Sequence, residues 1–250
     1  MPDPAATTAL PLPKEYVFIV TYGRSGSTVL QALLNTLPGY QVRGENQNAL
    51  YPLFQSWKAV AASPDMQRLR RAGDVSDATH PWYGAENTDP DAYRATLCRA
   101  FSATILHPGP GIRVSGFKEI RTIPVQPDFA EYLGFIREGF PNAKFVFNTR
   151  DPDKVVRSSW WRAQDPAKLK PMIARTEAAF RRFTTANPDC AICLHHDDYV
   201  ADHTRFAPLW RMLGARPAPD ALARVMATRL THATQPPADS RRAGPVETWA

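Results

Sequence analysis

Cysteine is scarce in this chain: 3 in 250 residues, at Cys98, Cys190 and Cys193. A small, odd number argues against a secreted fold stapled by disulfides. Cys190 and Cys193 form a C-x-x-C, but no second pair accompanies them at metal spacing, so they read as small buried strand residues. No apolar run reaches the roughly 20 residues that span a bilayer. The opening "MPDPAATTALPLP" has an acid and prolines where a signal peptide has a basic start and an apolar core. A soluble, cytoplasmic protein with no membrane span is expected. A basic stripe is missing too. The net charge is +6, but the pairs Arg70–Arg71, Arg181–Arg182 and Arg241–Arg242 are isolated and read as solvated surface. That pattern excludes a nucleic-acid partner and suits a small anionic ligand. No internal repeat occurs.

What is present is an alternation of strands and helices. "EYVFIVT" is a short continuous apolar run, read as a buried parallel strand. A helix should begin near Ser27, with Val29, Leu30, Leu33, Leu34 and Leu37 at helical spacing, and Pro38-Gly39 should stop it. "YQVRGEN", "GIRVSGFKEI", "AKFVFNT" and "CAICLHH" are the further strands. Helices are expected over 47–62, 91–106, 128–139, from Pro152 through Trp160 and Trp161, and over 166–185, 198–213 and 219–231. Residues 63–90 carry turn formers and charges and read as a long loop excursion of the kind that forms lids. "HHDD", 195 to 198, reads as a strand end with Asp197 or Asp198 capping the next helix, not as a metal site. The fold class is therefore α/β: a single domain over 14–235 with a mostly parallel sheet covered on both faces, a disordered tail over 1–13 and an irregular tail over 236–250.

The first strand runs into "YGRSGST", residues 22 to 28. Gly23 and Gly26 let the backbone turn tightly against an anion. Unpaired N–H groups at the start of the following helix point at it, aided by the helix dipole. Arg24, Ser25, Ser27 and Thr28 add donors. The loop lacks one thing: a Walker A pattern would have lysine where Ser27 stands. No strand ending in a magnesium-binding Asp stands out either. A kinase or ATPase needs both, so an anion handled without metal is expected. The bland alternative is a strand–helix turn that uses glycine only for tight packing.

A second motif lies in "FVFNTRDPDKVVRSSW". Arg150 closes the fourth strand and Ser158 follows eight residues on, expected inside the next helix and able to grip a phosphate with Arg150. With both motifs in order, the chain resembles the sulfotransferases that use 3′-phosphoadenosine 5′-phosphosulfate (PAPS). "YGRSGST" resembles their 5′-phosphosulfate loop and "FNTRDPDKVVRSSW" their 3′-phosphate motif. The resemblance implies an α/β domain related to P-loop nucleotide kinases, PAPS as the donor, and no metal. It implies contacts from Gly23, Arg24, Ser25, Gly26, Ser27 and Thr28 to the phosphosulfate, and from Arg150 and Ser158 to the 3′-phosphate. Where cytosolic members have an Arg-Lys-Gly segment, this chain has "DSRRAG", making Arg241 or Arg242 the candidate replacement.

Cytosolic members also have Lys-Thr-His after the third strand, with His as base. Here "FKEI" keeps the lysine as Lys118 and puts Ile120 at the base position. An acceptor hydroxyl must lose a proton, so a base is needed. Glu45 in "VRGEN" is the leading candidate, since it follows the second strand onto the same cleft. The segment resembles the Gly-Glu of tyrosylprotein and carbohydrate sulfotransferases. Glu45 can also be read as a charge that merely complements a helix dipole. His80 is the second candidate; Glu119, next to Lys118, is expected on the opposite strand face. Lys118 and Arg24 would stabilise developing charge. His80, Trp82 and Tyr83 on the excursion are candidate acceptor contacts, for a carbohydrate or other hydroxylated small molecule. The expected reaction is sulfuryl transfer to a hydroxyl, less so an amine. The alternatives are a P-loop kinase and a non-catalytic nucleotide-binding module.

Overall fold

Five strands form the centre, and their sequence explains their depth. β1 (Glu15–Val20), β3 (Val114–Glu119) and β4 (Ala143–Thr149) are nearly continuous buried runs. β2 (Tyr40–Arg43) and β5 (Ala191–His195) are shorter and more open. The sheet order is β2-β3-β1-β4-β5, every pair parallel. Runs this apolar require cover on both faces. The computed structural model describes residues 12–73, 77–122 and 126–228. Of the expected tails at 1–13 and 236–250, residues 1–11 and all of 236–250, with Arg241 and Arg242, lie outside the described residues. Pro13, placed in the N-terminal tail, is buried.

Alternation along β1 sorts its side chains between two cores. Tyr16, Phe18 and Val20 face an aromatic layer with Phe54, Phe101, Phe140 and Phe180. Val17 and Ile19 face an aliphatic layer with Leu30, Leu33, Leu34 and Leu209. The first layer is roofed by α2 (Leu50–Ala61), α4 (Pro90–Phe101), α5 (Phe129–Gly139) and α7 (Pro166–Ala186). The second is roofed by α1 (Ser27–Leu34), α8 (His196–Ala201), α9 (Ala207–Leu213) and α10 (Pro219–Ala227).

Three departures from the expected elements matter. Residues 63–90 are not one loop: α3 (Pro64–Ala72) lies within them. Its Ser63 accepts from Met66 N, Pro64 takes the first turn, and Gly73 closes it left-handed. Those are standard helix start and stop signals, masked here by a polar face. The helix from Pro152 is short: α6 ends at Val156, and Ser158 is extended at φ −101°, ψ 130°. Ser158 is thus not helical, and Trp160 and Trp161 belong to a 3₁₀ turn over Ser159–Ala163. The expected 198–213 helix divides into α8 and α9, with a 3₁₀ turn over His203–Phe206 where Asp202 accepts from Thr204 N. Among the described residues no helix is long and apolar enough to cross a membrane.

Candidate active site at the carboxyl rim of the sheet

Parallel strands deliver their C-terminal ends to one edge, where open α/β sheets bind ligands. Val20 pairs in register with Glu119 and Phe147, so the exits of β1, β3 and β4 lie side by side.

The loop between β1 and α1 is held by buried groups. The Thr21 hydroxyl lies 2.7 Å from Ser25 Oγ and 2.6 Å from the Asn148 carbonyl. Asn148 Nδ2 donates to Ser25 O at 2.8 Å, and Tyr199 donates to Asn148 Oδ1. Trp161 Nε1 donates to Gly23 O at 3.0 Å. Arg24 is left-handed, φ 67°, which costs a non-glycine residue about 1–2 kcal/mol. Such strain persists where the surroundings over-determine it. Gly26, φ 82°, is the residue before α1, and a Cβ there would lie 2.0 Å from His196 Cδ2. Only glycine fits. The first N–H groups of α1 have no carbonyl to bond within the helix. The Ser27 and Thr28 hydroxyls lie beside them in the first turn of α1.

Arg24 joins this loop to the exit of β4. Its Nε donates to Ser158 Oγ at 2.9 Å, and its carbonyl accepts from Arg150 Nη1 at 3.1 Å. Arg150 N donates to Tyr22 OH at 2.9 Å, and Tyr22 OH donates to Glu177 Oε1 at 2.6 Å. Burial and the Glu177 contact push the Tyr22 phenol far up, so it stays neutral. Arg150 Nε is buried and has no partner among the described residues. An orphaned guanidinium N–H beside a helix N-terminus is suited to an anion.

On the other side of β1, Lys118 Nζ lies 2.5 Å from Glu45 Oε1. The lysine side chain is 7 % exposed and the glutamate 34 %. Arg121 Nη1 approaches Glu45 Oε2 at 3.3 Å and Glu119 Oε1 at 3.1 Å. The carboxylate of Glu45 therefore has a cation on each oxygen and a face open to solvent.

A family model described as "Sulfotransferase family" matches residues 16–208, which hold all of these groups. The chain belongs to the sulfotransferase family. Two solved structures share its fold. The sulfotransferase domain of the olefin synthase of Synechococcus PCC 7002 is 19 % identical, covering 87 % of this chain and 79 % of that one, with a TM-score of 0.55. The sulfotransferase domain from the curacin biosynthetic pathway is 15 % identical over the same shares, with a TM-score of 0.51. No curated protein matches.

In this sulfotransferase-family chain the expected groups are thus gathered in two clusters, Arg24 with Arg150 and Ser158, and Glu45 with Lys118. His80, Trp82 and Tyr83 are elsewhere, on a surface turn. His80 Nδ1 accepts from Trp82 N at 3.1 Å, and the two aromatics are 42 % and 62 % exposed. Three neighbours were not read from the sequence. His196 packs on Gly26, and burial together with the Arg150 charge lowers its pKa to about 4. Tyr22 bridges the β4 exit. Glu119, set aside as opposite-facing, holds the backbone after β2. Asp197 does not cap α8 from its side chain; it accepts from Asp151 N and pairs with Lys154 at 2.7 Å. No sequence signal marks these, since each depends on a contact more than 40 positions away.

Proposed function

We propose that this chain transfers a sulfuryl group from PAPS to a hydroxyl of a small-molecule or glycan acceptor. One observation carries the reading: Arg24 contacts both Ser158 and Arg150, merging the β1–α1 loop and the β4 exit into one anion site. That site spans two phosphate-binding motifs and lacks the lysine of a nucleotide kinase. The orphaned Arg150 Nε and the Ser27 and Thr28 hydroxyls in the first turn of α1 fit a donor with phosphates at both ends.

The donor supplies an activated sulfuryl group on a phosphate leaving group. Gly23, Ser25, Gly26 and the first turn of α1 orient its 5′ end, and Arg150 with Ser158 takes the 3′-phosphate. Glu45 accepts the acceptor's proton on the carboxylate face left open to solvent. Lys118 releases Glu45 Oε1 and places its ammonium against the oxygen on which negative charge grows, with Arg24 alongside. His80, Trp82 and Tyr83 serve as acceptor contacts, the exposed rings offering flat apolar faces to a sugar-like ligand. No metal takes part.

Calorimetry tests the donor site. Adenosine 3′,5′-bisphosphate, the product of the donor, should bind without magnesium and more tightly than ATP. ATP binding that requires magnesium and gains nothing from a 3′-phosphate would replace this reading with a kinase. Bisphosphate binding without turnover in any Glu45 state would leave a nucleotide-binding module.

A further inference from the structure

Glu119, the last residue of β3, has no part in the mechanism above, yet its carboxylate is nearly encased at 4 % exposure. Its Oε2 accepts from Asn46 N at 3.2 Å and Asn48 N at 2.8 Å. Its Oε1 accepts from Ile120 N at 2.8 Å, Arg121 N at 3.1 Å and Arg121 Nη1 at 3.1 Å. Two oxygens thus face five donors. Only an ionised carboxylate accepts on both sides; an amide or a protonated acid would turn a hydrogen toward one set.

The segment it holds begins at the residue after Glu45. Gln47 and Asn48 are both left-handed, φ 62° and 54°, so the chain reverses just past the proposed base. Two such residues in a row persist only when neighbours fix them. Glu119 supplies two of the fixing bonds, and Tyr132 OH adds a third to Asn48 Oδ1 at 3.1 Å. The same carboxylate anchors Arg121, whose Nη1 reaches Glu45 Oε2.

We infer that Glu119 is a positioning residue, which holds the backbone after Glu45 and the Arg121 guanidinium so that the Glu45 carboxylate faces Lys118 and the acceptor. It touches neither reactant. The inference rests on Glu45 being the base.

The test uses the full chain with Glu119→Gln, Glu45→Gln and the double variant. Turnover is read as adenosine 3′,5′-bisphosphate released from PAPS, with water and glycerol as hydroxyl acceptors. Bisphosphate titration counts the folded sites in each preparation. Glu119→Gln should lower kcat by about 10–100-fold, the range expected when a reacting group is displaced by about 1 Å. Bisphosphate affinity should not change. In the Glu45→Gln background the second substitution should cost nothing more, because the group it positions is already inert. Glu119→Asp, which keeps both oxygens on a shorter stem, should bind bisphosphate normally and lose less turnover. An unchanged kcat overturns the inference. So do equal losses of kcat and bisphosphate affinity, losses that multiply in the double variant, or failure of both Glu119 variants to bind bisphosphate, which makes Glu119 a scaffold residue only. Parental turnover by Glu45→Gln would remove the base assignment itself, whatever Glu119 does.

Discussion

On one side of β1 the site is made of backbone and buried side chains; on the other it is made of charges gathered around one part-exposed carboxylate, Glu45. Ser25 and Asn148 are fully enclosed, Gly26 is wedged against His196, and Trp161 closes on Gly23. Glu45 is one-third exposed, and its partners are the ends of Lys118 and Arg121. Buried hydrogen bonds are costly to break because the freed groups find no water. The pairs of Glu45 with Lys118 and Arg121 are only part-buried, and the open end of the Glu45 carboxylate can change partners at little cost. The donor side is therefore a rigid mould, whereas on the acceptor side the Glu45 carboxylate can exchange partners as reactants arrive while Glu119 holds the backbone behind it. Substitutions on the donor side should read out in binding and stability, and those on the acceptor side in rate.

The largest effect should come from Glu45→Gln. Loss of the base should lower kcat about 10²–10⁴-fold, with bisphosphate affinity intact. A parallel fall in affinity would erase the contrast between the two sides.

Gly26→Ala should weaken bisphosphate binding about tenfold or more, since the new Cβ meets the His196 ring in backbone that disfavours any side chain. Adding His196→Ala should recover only part of the loss, by removing the clash and leaving the φ strain. Full recovery would show that sterics alone demand glycine there.

Acid should loosen the donor side. His196 is held neutral in the fold, its pKa lowered from 6.5 to about 4 by burial and the nearby Arg150. Between those values the unfolded chain binds a proton that the folded chain refuses. Its contribution is whole above about pH 6.5 and is lost as pH falls toward 4. The loss should be on the order of 1–2 kcal/mol, less than the full shift implies because the ring is not wholly dry. Denaturant titrations at pH 7 and pH 5 check this, and His196→Gln should flatten the difference.

The smallest effect sharpens the acceptor side. Trp82→Ala should raise KM for a sugar acceptor by about tenfold at most, the value of one aromatic face, with kcat and folding unchanged. No change at all would remove the surface turn from the acceptor site.

The two phosphate motifs were legible because each is contiguous and tied to an element boundary. Glycines at 23 and 26 and the apolar stripe of α1 require no distant partner to be recognised. The α3 helix was legible in principle from Ser63, Pro64 and Gly73, but its lack of buried residues hid the period. Ser158 was placed in the wrong backbone state because nothing local says that α6 stops after five residues.

By itself the sequence determined the alternation of strands and helices, the parallel sheet and the order of the motifs. Those follow from periodicity and turn chemistry, which act over a few residues. Only the tertiary structure decided that Arg24 joins Ser158 to Arg150, that His196 makes Gly26 obligatory, and that Glu119 reaches the backbone behind Glu45. Each is a contact between residues 71 to 170 positions apart, set by which strand ends the sheet order brings together. No short-range rule encodes that adjacency.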